Sequence, residues 1–496
     1  MTESNQDRGA GAAALDGQAF HLIGVGGAGM SVVAQLLAER GATVTGSDAH
    51  DGPALEHLRD LGLGVYVGHD PARVPPRATV VVSSAIRASN PELLAARAAR
   101  ARVVHRSQAL ALAAQGRDLV AVAGAHGKTT TSSMLAQALR RLGQDPSFAV
   151  GGVVRDLGTG AHLGGGAVFV AEADESDRSF LNYSPRVEVI TNVEPDHLDT
   201  YGTAEAFEAA FLDFAHCLVP GGCLLYTSDA ADPGSLRLAL TAAEEGLRVA
   251  TYGTTGVTSL PAGSLVESHV HLEVTGRHAQ GTQAVLTRTV MSDGGLSTSV
   301  PVHLDLGAPG DHVALDAAGA WAAGLEVGAD PEAMARALAC FGGAGRRFEA
   351  RGEGDGVRVV DDYAHHPTEI RALLEAARQV VAPGGRVLVL FQPHLFSRTQ
   401  AFADRFAAAL DQADEVIVTG VYPARENQSD FPQVTGAIIT DRMRAGRYVA
   451  DREQAAHAAA AAARPGDLLL TVGAGDVTEL ADVVLEDLRR RGDGAS

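Results

Sequence analysis

Lysine is nearly missing from this chain. Of 496 residues only Lys128 is a lysine, and every other permanently cationic side chain is arginine. Cysteine is scarce too. Cys217, Cys223 and Cys340 form no paired spacing, which excludes a disulfide framework or a thiolate metal finger and fits a reducing cytoplasm. No apolar run reaches the ~20 residues needed to cross a bilayer, so no membrane insertion is expected. Residues 1–16 are polar and rich in Gly and Ala, and read as a disordered tail rather than a leader. Basic excess is absent: 40 Lys plus Arg stand against 60 Asp plus Glu, a net charge of −20. That excludes a broad nucleic-acid-binding surface. Anionic ligands must be met by local sites. What is present is 46% hydrophobic and 20% charged, a globular composition with length for about three domains.

The lone lysine stands in "AVAGAHGKTTTSSM" (121–134). "LVAVAG" (119–124) reads as a buried parallel strand, and "TTTSSMLAQALRRLG" (129–143) has helical spacing and ends on Gly143. Strand, glycine turn and helix N-terminus aim backbone N–H groups at one spot, which suits phosphate. Only two residues separate Gly124 from Gly127, where the usual phosphate loop has four. A compact ammonium there can sit between phosphates, where an arginine fork fits differently.

A second glycine motif opens the chain. "FHLIGVGGAGM" (20–30) runs a strand into Gly24-x-Gly26-x-x-Gly29 and a helix, and the next strand, "TVTGSD", ends on Asp48. This is the dinucleotide fingerprint, acidic residue included. Alternating strands and helices predict an α/β fold of three domains. A Rossmann-like N-terminal domain spans 17–116. A central P-loop ATPase domain, 117–341, has a parallel sheet plus a small β-meander over about 247–305. A Rossmann-like C-terminal domain spans 342–496. In the centre, "AVFVAEADESD" and "VEVITNVEPDHLDTYG" each end a strand on carboxylates or histidine, at the edge where ligands collect.

Taken together, "HLIGVGGAGMS", "GAHGKTTT", "AEADESDRSFL", "TNVEPDHLDTY", "GRRFE", "DDYAHHPTE", "FQPHLFSRT" and "GAGD" resemble the Mur ligases, in the same order and over about residues 19–485. The likeness is greatest to the alanine-adding branch. It implies ATP and Mg2+ as cofactors and an acyl-phosphate intermediate. It also implies small-molecule substrates: UDP-N-acetylmuramate, whose lactyl carboxylate is activated, and L-alanine, whose amine attacks. A monomer or weak dimer is expected.

The resemblance distributes roles. Gly124, Ala125, His126, Gly127, Lys128, Thr129 and Thr130 would hold ATP phosphates, with Lys128 bridging β and γ. Thr129 and Glu172 would hold magnesium, and His197 a second magnesium or the acyl phosphate. His312 and Asp316 would meet adenine. Arg347 and Asp362 would reach ATP phosphates and ribose. Tyr363, His365 and Arg398 would surround alanine, an arginine fork being suited to its carboxylate. Lys128, His197, Arg347 and His365 are the catalytic candidates. Gly26, Gly27, Ala28, Gly29 and Met30 would lie against the pyrophosphate of the UDP-sugar, with Asp48, Ser83, Ser84 and Ile86 around them. His366, before Pro367, reads as structural.

Three positions depart from the family pattern. Ala125 replaces a common Thr, Leu395 a common Arg, and Asp316 a common Asn. An ionised Asp only accepts hydrogen bonds, whereas Asn also donates, so adenine recognition is altered. The carbamylated lysine of some Mur ligases has no counterpart, since no second lysine exists. Alternatives are a ligase recycling a preformed tripeptide onto the same sugar, an NAD-dependent oxidoreductase and a non-catalytic nucleotide-binding regulator.

Overall fold

A computed structural model describes residues 15–229, 233–260, 265–278, 281–292 and 295–494. The expected tail lies mostly outside these residues. Its last two positions do not: Leu15 is buried and its amide bonds Arg40 O.

Three α/β sheets form, as the alternation predicts. The first has five parallel strands, in the order Gly64–Val67, Thr43–Asp48, Ala19–Ile23, Thr79–Val82, Val103–His105. The short β-branched runs are covered by helices such as Ala28–Glu39, the reason parallel strands read as near-continuous apolar segments.

The second sheet has eleven strands. At its centre Asp118–Ala123 pairs in parallel with Val168–Glu172 and Val187–Ile190. Cys223–Thr227 and Val249–Gly253 continue the parallel run. The expected meander therefore begins too early: Val249–Gly253 is fully buried and parallel to its neighbour, and Ser268–His278 pairs in parallel with it in turn. Antiparallel pairing appears further on, where Gly281–Ser292 meets Gly295–Thr298. Continuous burial on both faces, rather than alternation, marks the difference.

The third sheet has six strands. Glu349–Gly354 runs antiparallel to Val357–Asp362. Leu468–Val472, Val387–Phe391, Glu415–Val418 and Arg447–Tyr448 follow in parallel.

By contacts the chain divides into two compact units. One comprises the chain to Glu273 with Val285–Leu304 and Leu315–Phe341. The other comprises Val274–Ala284, Asp305–Ala314 and the chain from Gly342. No helix among the described residues is long and apolar enough to cross a membrane.

Candidate active site

The phosphate loop joins the buried strand Asp118–Ala123 to the helix Lys128–Arg141. Gly124 and Gly127 have φ of 136° and 82°, a region L side chains resist. A methyl on Gly124 would strike Thr191 Oγ1, and one on Gly127 would lie 2.5 Å from Asp316 Oδ1. The loop is braced from the neighbouring strand end. Asn192 Nδ2 donates to His126 O at 2.8 Å, and Asn192 Oδ1 accepts from His126 N at 3.3 Å. Thr191 Oγ1 donates to His126 O as well. A two-residue spacer thus suffices, because the next strand end holds the turn. The amides of the first helical residues, Lys128, Thr129 and Thr130, have no intrahelical acceptor.

Lys128 Nζ donates to Gly124 O and, at 2.9 Å, to Glu175 Oε1. Burial disfavours its charge, but Glu175, Glu172 and Asp174 more than offset this and raise its pKa. Burial pushes Glu175 up to about 7, against the pull of Lys128. In sequence Glu175 is one of four acids, with Glu172, Asp174 and Asp177, in a six-residue stretch, and nothing local sets it apart.

Thr129 Oγ1 donates to Glu172 Oε2 at 3.0 Å, and Gly151 N donates to the same oxygen at 2.8 Å. Two oxygen donors at the foot of a phosphate loop fit magnesium, which takes one or two carboxylates and completes its shell from water and substrate phosphates. No cage of three or more metal-ligating side chains exists among the described residues, so such an ion would depend on substrate oxygens. His197 has φ of 50°. Its Nε2 lies 3.7 Å from Glu175 Oε1 and 3.6 Å from Asp196 Oδ2. Asp316 lies on the helix Asp311–Glu326, whose second residue is His312, and accepts from Thr131 Oγ1 at 3.2 Å.

At the first glycine motif Asp48 Oδ2 accepts from Gly26 N at 2.9 Å. The Gly26 amide is therefore taken within the protein, and Asp48 holds the loop rather than capping the next helix, whose N-cap is Gly52. Met30 is buried in the core, and its amide donates to Gly27 O. Ala28 and Gly29 supply the opening amides of the helix. Ile86 covers Gly24, and a methyl on Gly29 would overlap the Arg106 guanidinium. Arg106 also pairs with Asp174. Ser84 and His105 face Asp177, which they help hold below the usual carboxylate range despite its burial. Ser83 lies beside them in the same loop.

The remaining candidates cluster within the other unit. Arg347 Nη1 meets Glu369 Oε1 at 3.4 Å, and its guanidinium lies 5.2 Å from the Tyr363 ring centroid. Glu369 Oε2 accepts from His365 N and His366 N at 2.9 and 3.1 Å, and His366 caps the helix Pro367–Val380, a structural role. Asp362 accepts from Phe348 N and Ala364 N, both at 2.7 Å, and burial raises it to about 6. The His365 and His394 rings lie 5.9 Å apart, and Arg398 Nη1 is 3.4 Å from His394 Nδ1. Leu395 is buried, with φ of 69°, at the N-cap of Phe396–Ala401.

Three matches agree with this architecture. Residues 19–118 match the Mur ligase family catalytic domain, 122–323 the Mur ligase middle domain, and 346–475 the Mur ligase glutamate ligase domain. The chain belongs to the Mur ligase family, whose members are ATP-dependent ligases. It is 54% identical over 490 residues to UDP-N-acetylmuramate–L-alanine ligase of Kineococcus radiotolerans, covering 97% of this chain and 99% of that one. It is 49% identical over 468 residues to the enzyme of the same name from Renibacterium salmoninarum, covering 94% and 95%. Among solved structures, UDP-N-acetylmuramate–alanine ligase of Thermotoga maritima superposes with a TM-score of 0.73 at 27% identity, covering 96% of this chain and 99% of that one.

Proposed function

We propose that this chain joins L-alanine to the lactyl carboxylate of UDP-N-acetylmuramate at the expense of ATP. The observation that carries the reading is the joint placement of Lys128, Thr129, Glu172 and Glu175 at one phosphate loop, in a chain 54% identical throughout to a ligase of that name. The NAD-dependent alternative leaves this group without a use.

The reaction brings a carboxylate and polyphosphate together, so their repulsion must be offset. Lys128 supplies a buried cation at the helix N-terminus. The amides of Gly127 and Lys128, with Thr130, would receive phosphate oxygens. Thr129 and Glu172 would hold magnesium, which when bound neutralises phosphate charge and orients the transferred group. His197 is suited to contact the acyl phosphate, with Glu175 and Asp196 fixing its ring. Ala28 and Gly29 would meet the sugar-nucleotide pyrophosphate, with Asp48 shaping that loop. Arg347 and Asp362 are assigned to ATP, and Tyr363, His365 and Arg398 to alanine. The setting is the cytoplasm, and the product is a peptidoglycan precursor.

The test is phosphate release with Mg-ATP and UDP-N-acetylmuramate, adding L-Ala, Gly, L-Ser or the tripeptide in turn. Release that needs both the sugar and L-Ala, and is lost in Lys128→Ala, supports the reading. Release only with tripeptide transfers it to the recycling ligase. No release with any amine overturns both.

A further inference from the structure

Three consecutive residues opening the helix Arg106–Ala114 grip the segment that follows the strand Val168–Glu172. His105 Nε2 lies 3.3 Å from Asp177 Oδ2. Arg106 Nη2 bonds Asp174 Oδ2. Ser107 Oγ accepts from Asn182 Nδ2 at 2.8 Å. The gripped segment leads out of Glu172 and contains Glu175, the partner of Lys128. At its other side Arg106 lies so close to Gly29 that a methyl there would overlap Nη1. One guanidinium therefore touches both the first glycine loop and the acidic segment of the phosphate site.

That position is electrostatically unusual. The Arg106 guanidinium is mostly buried, at 24% exposure, while Asp174, the carboxylate it bonds among the described residues, is 36% exposed. Asp174 also accepts from Ser176 N at 2.9 Å, which fixes the turn into Glu175 and Ser176. A pyrophosphate seated on the amides of Ala28 and Gly29 would bring two negative charges beside the same guanidinium. Arginine forks favour phosphate oxygens and bind them bidentately.

Resting on the ligase reading above, we propose that Arg106 is shared between Asp174 and the sugar-nucleotide pyrophosphate. Binding of the sugar nucleotide draws Arg106 from Asp174 and leaves that carboxylate to Lys128 and the backbone of its own turn. The presence of the first substrate is thereby reported to the segment bearing Glu172 and Glu175. Arg106 is then a substrate-binding residue and Asp174 a positioning residue that competes for it. No bond is made or broken in this exchange.

The competition gives the two partners opposite signs. A purely structural bridge would give them the same sign. The experiment is calorimetric titration of UDP-N-acetylmuramate into the full chain without ATP, for the unaltered protein, Arg106→Gln, Asp174→Asn and the double variant. Arg106→Gln should weaken binding by about tenfold or more, the loss expected for one charge-assisted phosphate contact. Asp174→Asn, which keeps the shape and the Ser176 contact, should tighten binding severalfold. The double variant should bind like Arg106→Gln alone. Both single variants weakening alike, or Asp174→Asn leaving affinity unchanged, would overturn the inference while the ligase reading stands. Failure of the unaltered protein to bind the sugar nucleotide would overturn that reading, and the inference with it. Thermal unfolding of each variant, and binding of UDP-N-acetylmuramate to His105→Gln, control for folding. His105 grips the same segment without touching Gly29, so His105→Gln should bind within about twofold of the unaltered protein. A loss there equal to that in Arg106→Gln would also count against the shared-arginine account.

Discussion

Lys128 Nζ lies 2.9 Å from Glu175 Oε1, and the Glu175 side chain is only 1% exposed. The one lysine is thus held by a buried acid at the glycine loop. Lys128→Ala is expected to lower kcat/KM for ATP-dependent phosphate release by about 10²–10³-fold or more, the range for removing one preorganised stabilising group. Lys128→Arg should recover little of it, because the planar fork cannot occupy a point-charge site walled by Gly124 O and Glu175. Steady-state kinetics of both variants check this, and near-full activity in Lys128→Arg would refute it.

The left-handed Gly127 and the Asp316 carboxylate are tied by space. Gly127→Ala must strain φ and displace Asp316 Oδ1, at about 1–3 kcal/mol for the backbone alone, so activity and melting temperature should fall together. Asp316→Asn keeps the acceptor for Thr131 and removes a negative charge beside the phosphate loop. The KM for ATP should fall severalfold, since repulsion with the polyphosphate is relieved. A rise in KM would show that the Asp charge serves the site.

Glu188 gives a pH prediction for stability. It sits in the middle of the strand Val187–Ile190, fully buried, and burial alone raises its pKa well above the ordinary 4.5. Its carboxyl oxygens have no hydrogen-bond partner among the described residues. The folded chain therefore keeps a proton that the unfolded chain releases near 4.5, and stability contributed by the neutral acid is lost as pH rises from there toward the folded pKa. Glu188→Leu should remove this slope and raise stability at pH 8 by about 1–3 kcal/mol. Thermal melts at pH 5 and pH 8 decide it: an unchanged slope in the variant would exclude Glu188 as its source.

Glu92 works with the opposite sign. Burial opposes its charge, but His21, the Ser47 and Tyr66 hydroxyls and the Asp70 amide together hold it down at about 2. Tyr66 OH donates to Glu92 Oε1 at 2.6 Å and Asp70 N donates at 3.0 Å. Its stabilisation is complete above about pH 4.5 and is lost as pH falls toward 2. Glu92→Ala should cost about 3 kcal/mol or more by stranding several donors, and should flatten the acid limb of the unfolding curve. Chemical denaturation at pH 7 and pH 3 measures both effects.

What the sequence makes legible is what repeats locally. The strand, glycine turn and helix at 118–141 and again at 19–39 follow from β-branched runs, glycines and helical spacing. The reach of the parallel sheet through Val249–Gly253 to Ser268–His278 is not legible, because a short apolar strand looks the same in a meander. Arg106 gives no local signal: its partner is 68 positions away, and only the fold brings them together. The departure at Leu395, where the family pattern has Arg, gives no local sign of its structural setting. The structure shows a buried helix cap with positive φ, set by the turn preceding Phe396.

The solitary lysine has one more consequence. Its side chain is 15% exposed and lies against Glu175, so the chain carries a single side-chain amine, at the nucleotide loop. Acylating or pyridoxylating reagents that spread over many lysines in most proteins would find one side-chain amine here, besides the α-amine of the chain. Label found on the Lys128 peptide, compared with and without Mg-ATP, would then report whether nucleotide shields that amine, with no engineered probe needed.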